Sequence, residues 1–306
     1  MSFVRTWEDQ VVIPTYPLHP DDINPRFFEV EETLIYPYTM QDHLSRNKLD
    51  RSYRAVFLEN KFLKIMCLPE LGGRLHSVYD KQNCQEMFYR NTVIKPGLIA
   101  LRGAWISGGV EWNRGPQSHT VTSFSPVDVI STEHEDGSAS IVIGYTEMNF
   151  RTGWEVRLTL YPDKAFLDEK IVLFNPTDHS QTYYFWNNAA FPNTSGTKFC
   201  YPMRAASDHD RFFSWPIDQG RDLRWLKNFK DATPVFAYAC DFDFFGLYDV
   251  DRDYGLVACA DHRKVPGKKA WTWGQTDAGH TSQRALTDTA GPYIEIQSGP
   301  LRTQTD

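Results

Sequence analysis

Long apolar runs are missing from this chain of 306 residues. No window approaches the ~18 consecutive apolar residues that a membrane-spanning helix needs. Near the N-terminus, Glu8 and Asp9 stand where a secretory leader would carry its apolar stretch, so a cytoplasmic protein with no membrane partner is expected. Basic clusters are missing too. The 32 Lys and Arg residues are scattered among 39 Asp and Glu, for a net charge of -7, which leaves no electrostatic footprint for nucleic acid. Cysteine is sparse, with 5 residues at 67, 84, 200, 240 and 259 and neither CxxC nor zinc-type spacing, and reads as reduced structural thiols. There is no GxSxG elbow, and the pairs Gly72-Gly73 and Gly108-Gly109 lack the spacing and following helix of a phosphate loop. Serine-nucleophile and nucleotide-driven chemistry are therefore set aside. Helical patterning is rare, with only 222–229 and 41–50 reading as helix.

What the chain does have is strand sequence and aromatic residues. At this length it can bury a substantial core. The stretch 153–160 alternates, with Trp154, Val156, Leu158 and Leu160 toward one face and Glu155, Arg157 and Thr159 toward the other. Pro162-Asp163-Lys164 supplies a reversal, and 165–174 is the expected hairpin partner. Further strands are expected at 27–36, 53–59, 61–68, 74–79, 85–90, 127–132, 139–149, 181–191, 235–241, 244–249, 254–260 and 292–298, bounded by Gly, Pro, Asn or Asp. So many strands with so little helix between them imply an all-β fold of stacked antiparallel sheets, a large β-sandwich. The Pro-bearing segment 1–26 reads as an extended N-terminal arm and 27–306 as the sandwich domain. The polar end, which carries no closing strand, suggests truncation at the C-terminus.

Short polar and aromatic clusters interrupt the strand sequence: Gly108-Gly109-Val110-Glu111-Trp112-Asn113, His119, Trp186-Asn187-Asn188, Lys269-Ala270-Trp271-Thr272-Trp273-Gly274 and Tyr293-Ile294-Glu295-Ile296-Gln297. Sugars need carboxylates and amides for their hydroxyls and flat rings for their C–H faces, and these clusters hold both. A mono- or oligosaccharide is the expected partner, with no cofactor and no metal. Along 291–299, Ile294 and Ile296 would face one side, and Tyr293, Glu295 and Gln297 the other. On a concave face Glu295 would be desolvated and suited to a general base; the alternative is an exposed or Arg-paired glutamate. Glu111 follows a glycine pair that permits close backbone approach or a bulge, and tryptophans flank it. It reads either as an acid or hydroxyl-binding carboxylate, or as the salt-bridge partner of Arg102 or Arg114. Two such carboxylates roughly 5 Å apart suit a nucleophile and an acid/base, whereas roughly 6.5–9.5 Å leaves room for an attacking water. Among the histidines, His119 and His209 are candidates for proton transfer, with His262 third. Asn187, Asn188, Gln297, Arg74, Arg102 and Asp208 are candidate hydroxyl-binding groups, and Trp112, Trp271 and Trp273 candidate stacking surfaces.

Several of these segments, with Pro69-Glu70-Leu71-Gly72-Gly73-Arg74, Val93-Ile94-Lys95-Pro96 and Leu286-Thr287-Asp288, resemble a bacterial domain-of-unknown-function family that often precedes tetratricopeptide repeats. That family lies within the galactose-mutarotase-like superfamily, and the resemblance runs from about residue 27 to the end. It implies an antiparallel β-supersandwich with a sugar-binding concave face. Aldose 1-epimerases of that fold use a late-strand Glu as general base at the anomeric hydroxyl, in a context similar to Ile294-Glu295-Ile296-Gln297. They use a His as acid toward the ring oxygen, in a strand similar to Phe185-Trp186-Asn187-Asn188-Ala189, where Asn188 fills the His position. An amide delivers no proton. The resemblance therefore implies that Glu111, His119 or His209 takes the acid role in epimerase-like or glycoside-hydrolase-like chemistry, or that the site is a non-catalytic carbohydrate-binding or sensor domain.

Overall fold

A computed structural model describes residues 3–28, 35–115 and 119–304. The chain divides into two compact units, Met1–Tyr183 and Tyr184–Asp306. In the first unit, β1 (Arg5–Thr15), β2 (Leu49–Glu59), β3 (Leu63–Leu68) and β4 (Arg74–Asp80) run as successive antiparallel neighbours. Three short strands, β5 (Gln85–Glu86) on β4 and the pair β6 (Gly97–Ala100) with β7 (Gly103–Trp105), precede β8 (Val110–Asn113), which lies beside β4. A second sheet holds β9 (Asp128–Glu133), β10 (Ala139–Thr146), β11 (Gly153–Leu160) and β12 (Asp168–Phe174) in the order β12-β11-β10-β9.

The alternation of β11 appears as expected, with Trp154, Val156, Leu158 and Leu160 buried and Arg157 exposed. Its hairpin partner is β12. In the other sheet β2 is buried on both faces from Ala55 to Leu58. Tyr53, Ala55 and Phe57 join Ile13, Met66 and Leu68 in one core cluster, while β10 packs against β2 as well. Fully burying a side chain such as Ile13, Phe57, Met66 or Leu68 is worth ~1.5–3 kcal/mol. The expected N-terminal arm needs correcting over 5–15: this segment is β1, paired with β2 along its whole length, and Trp7, Val11 and Ile13 pack on the core cluster.

The second unit contains β13 (Trp186–Pro192), β14 (Thr197–Cys200), β15 (Ala205–Ser207), β16 (Phe212–Ser214) and the small hairpin β17 (Ile217–Asp218) with β18 (Arg221–Asp222). It continues through β19 (Thr233–Tyr238), β20 (Phe244–Asp249), β21 (Tyr254–Cys259), β22 (Gly267–Thr272), the helix α1 (Asp277–Leu286) and β23 (Tyr293–Gly299). Its main strands lie in the order β13-β23-β22-β19-β15-β16, and β14-β20-β21 form a smaller sheet. All named pairs are antiparallel. The late strand β23 is therefore interior, flanked by β13 and β22.

Neither helix expected from the sequence forms. The segment 222–229 contributes one 3-10 turn, Leu226–Asn228, and 41–50 is extended, with isolated bridges at Gln41 and Leu44. The strand expected at 27–36 falls largely on 29–34, outside the described residues. The one α-helix among the described residues was not expected, and none there is long and apolar enough to cross a membrane.

Candidate functional site

In the second unit, strand register places the polar residues of four segments on one face. Gln297 of β23 faces Asn188 of β13 on one side and Lys269 of β22 on the other, and Lys269 in turn faces Phe236 of β19. One step along the strands, Glu295 lies between Ala190 and Trp271. The opposite face takes Ile294, Ile296, Ala189 and Ala270, so the alternation of β23 sorts its polar and apolar residues as expected.

Both faces are covered. Asn188, Glu295, Gln297 and Lys269 are between 2% and 4% exposed. The Gln297 Nε2 donates to Glu295 Oε2 at 2.9 Å, so the carboxamide orients the carboxylate. Lys269 adds the opposite charge, its ammonium 5.2 Å from the centre of the Phe236 ring. Burial pulls this ammonium down to about 8, with the Glu295 charge working against the shift.

His209 has left-handed backbone, φ 79°, and its ring meets Phe236 edge-on at 4.5 Å. Partial desolvation and then the Lys269 charge hold its imidazole below the usual range, against a hydrogen bond to the Gln304 side chain. Neutral at pH 7, His209 is poorly placed to give a proton. Trp271 and Trp273 are partly exposed and meet edge-on at 5.4 Å, a pair of apolar ring surfaces beside Glu295.

Three candidates in this unit have other tasks. The Asn187 Oδ1 accepts from the Ser298 backbone N–H at 2.9 Å and ties β13 to β23 on the apolar side. Asp208 accepts from the backbone N–H groups of Asp210 and Arg211 and closes its own turn. His262 bonds Asp243 at 2.8 Å.

In the first unit Glu111 is 3% exposed and accepts from Trp105 Nε1 at 2.9 Å, with His119 Nδ1 also at 2.9 Å. Burial alone would raise its carboxyl. His119, the Arg74 charge and the Trp105 N–H outweigh burial and hold it below the usual carboxylate range. The salt bridge expected to Arg102 or Arg114 is absent. Arg102 bonds Thr39, Val121, Ser125 and Asp21, and Arg114 bonds Thr152. Sequence reasoning missed this partner because Glu111 and His119 pair across 116–118, outside the described residues, with no periodicity to link them.

Three other candidates here face inward. Trp112 is 1% exposed and donates to the Gly73 carbonyl at 2.9 Å, so it offers no open stacking surface. Arg74 is buried, donating to the Gly108 carbonyl at 2.7 Å with its guanidinium 5.7 Å from the Trp105 ring centre. The space beside Glu111, Arg74 and Thr120 has no room for a water molecule. Arg102 ties Asp21 to Thr39. Elsewhere in this unit a shallow depression of about 260 Å³ runs along β9–β12, lined by Ile130, Val142, Tyr145 and Trp154. Its carboxylates, Asp128 and Glu155, are not buried.

Lys269 is the main residue that sequence reasoning passed over. The signal was present: Lys268 and Lys269 are consecutive in a strand of the pattern Gly-Lys-Lys-Ala-Trp-Thr, so one must point to each face, and both are buried.

Comparison with solved structures places this geometry in a known fold. A galactose mutarotase-like protein from Clostridium acetobutylicum superposes with TM-score 0.59 at 10% identity, over 83% of this chain and 86% of that one. A protein described as a candidate aldose 1-epimerase from Escherichia coli superposes with TM-score 0.53 at 9% identity, over 80% and 88%. These likenesses show the fold, an all-β galactose-mutarotase-like sandwich. A TPR-domain containing protein from Parabacteroides distasonis matches with TM-score 0.87 and 26% identity over 99% of this chain. The present chain spans 52% of that protein's length. Residues 30–306 match the family described as domain of unknown function DUF5107, and the chain belongs to that family.

Proposed function

We propose that this protein binds a sugar at its anomeric centre and exchanges protons there, with Glu295 as the general base, in an epimerase-like reaction. The observation that carries this reading is the buried Glu295 carboxylate, oriented by the Gln297 amide on a sheet face that also bears Asn188 and Trp271. A base needs to be ionised, positioned and shielded from water. The mutarotase-like fold supports the same assignment. Glycoside hydrolysis with Glu111 as its acid is less well supported, because an acid must carry a proton and Glu111 is held ionised.

The test is the rate at which freshly dissolved α anomers of glucose, galactose, mannose and xylose equilibrate, followed by polarimetry. Glu295→Gln should slow the catalysed equilibration by at least ~10²-fold, the usual worth of a positioned base. An unchanged rate in the variant would remove Glu295 from that role. A second reading, a sugar-binding module without turnover, is favoured by Asn188, whose amide stands where the resemblance places an acid. That reading expects calorimetric binding of a sugar, weakened by Glu295→Gln, with no acceleration by the unaltered protein.

A further inference from the structure

A base at the anomeric hydroxyl needs an acid at the ring oxygen, and the strand register supplies one cation beside Glu295. Lys269 is 4% exposed, and its ammonium makes no hydrogen bond among the described residues, lying instead over the Phe236 ring. Directly across the register, the Gln297 Oε1 is buried without a hydrogen-bond donor, while the same residue's Nε2 is engaged by Glu295. A buried acceptor left without a donor is costly, so a ligand that supplies one is favoured there. A buried acceptor without a donor, across the register from an ammonium that lies over a ring, matches a group that both gives and takes hydrogen bonds, as the oxygens of a sugar do.

Resting on the reading of Glu295 as base, we propose that Lys269 is the proton donor of this site, acting on the ring oxygen of an uncharged reducing sugar. Charge selects the substrate class. Glu295 and Lys269 already balance, so a neutral sugar leaves the buried face neutral, whereas a uronate or sugar phosphate would bring a second, unpaired anion beside Glu295.

The step conserves atoms and charge. Glu295 takes the proton of the anomeric hydroxyl, and the O–H electron pair becomes the second bond of the C1 carbonyl. The bond from C1 to the ring oxygen breaks, and the ring oxygen takes a proton from Lys269. The products are the open-chain aldehyde, a neutral carboxyl and a neutral amine. Rotation about the C1–C2 bond and reversal of both transfers close the ring as the other anomer. The two acidic and basic atoms of the sugar share one carbon, which suits side chains reaching from adjacent strands. Lys269 is suited to this exchange at neutral pH, because its ammonium titrates near 8 and so is charged at pH 7 yet gives up its proton readily. His209, held neutral, is the weaker donor.

The experiment is the pH profile of α-D-glucose and α-D-galactose equilibration for the unaltered protein, Lys269→Met, Lys269→Arg and Glu295→Gln, each checked for folding by its thermal transition. The unaltered protein should lose rate as pH rises through about 8, where Lys269 deprotonates. Lys269→Met should be slower by at least ~10²-fold and lack that basic limb. Lys269→Arg keeps the charge and the fold but holds its proton too tightly, and should be slow as well. Arg at the unaltered rate, or Met with rate and basic limb intact, would overturn Lys269 as donor while leaving Glu295 standing. Glu295→Gln at the unaltered rate would instead overturn the reading on which the proposal rests.

Discussion

The three buried glutamates among the described residues differ by what each carboxylate meets. Glu111 has His119, Trp105 and the Arg74 charge, and stays ionised. Glu295 has an amide and a lysine on its own sheet face. Glu147, 1% exposed in the first unit, accepts from Tyr38 at 3.0 Å, yet burial pushes its carboxyl up to about 7 against the opposing charge of Arg114. From about 4.5 to 7 the folded chain keeps a proton that the unfolded chain releases. Stability from this group is therefore present below about 4.5 and lost as pH rises through 7, on the order of 3 kcal/mol in all. Urea unfolding at pH 5 and pH 7.5 should show this loss, and Glu147→Gln should flatten it. Equal slopes in the two proteins would show that Glu147 does not carry the effect.

At the scale of elements, two short stretches of backbone decide where buried polar side chains lie. The alternation of β22 and β23 gives one face of Lys269, Trp271, Glu295 and Gln297 and another of Ala270, Ile294 and Ile296. In the first unit the chain turns into β8 through Gly109, at φ 63°, where a Cβ would sit 2.1 Å from the Leu75 carbonyl oxygen. Gly109→Ala combines a left-handed backbone with that collision and should cost at least ~2 kcal/mol, read as a lowered thermal transition. A change within ~0.5 kcal/mol would mean the backbone relaxes there.

This close approach was legible from the glycine pair, and the strands around Trp154 and Glu295 were legible from period-two alternation. The helix Asp277–Leu286 was not. Its sequence has few apolar positions and includes Gly279, which fits because its missing side chain lets Trp273 O approach; a Cβ would lie 2.1 Å away. Strand pairing sets the position of Lys269, and no local pattern could show it opposite Gln297. Trp112, Arg74 and Arg102 were legible as unusual residues but not as buried ones, because hydrogen bonds to distant carbonyls decide their direction.

For the whole molecule, membership of the DUF5107 family and the galactose-mutarotase-like fold fix the architecture, while the proposed chemistry rests on residues within the second unit. The TPR-domain relative from Parabacteroides distasonis is about twice as long as the present chain. The most direct test is a crystal structure of the protein soaked in glucose and galactose. The expected result is a pyranose ring against Trp271 with its anomeric hydroxyl about 3 Å from the Glu295 carboxylate and its ring oxygen toward Lys269. A sugar bound elsewhere, or one turned with its anomeric carbon away from Glu295, would contradict it.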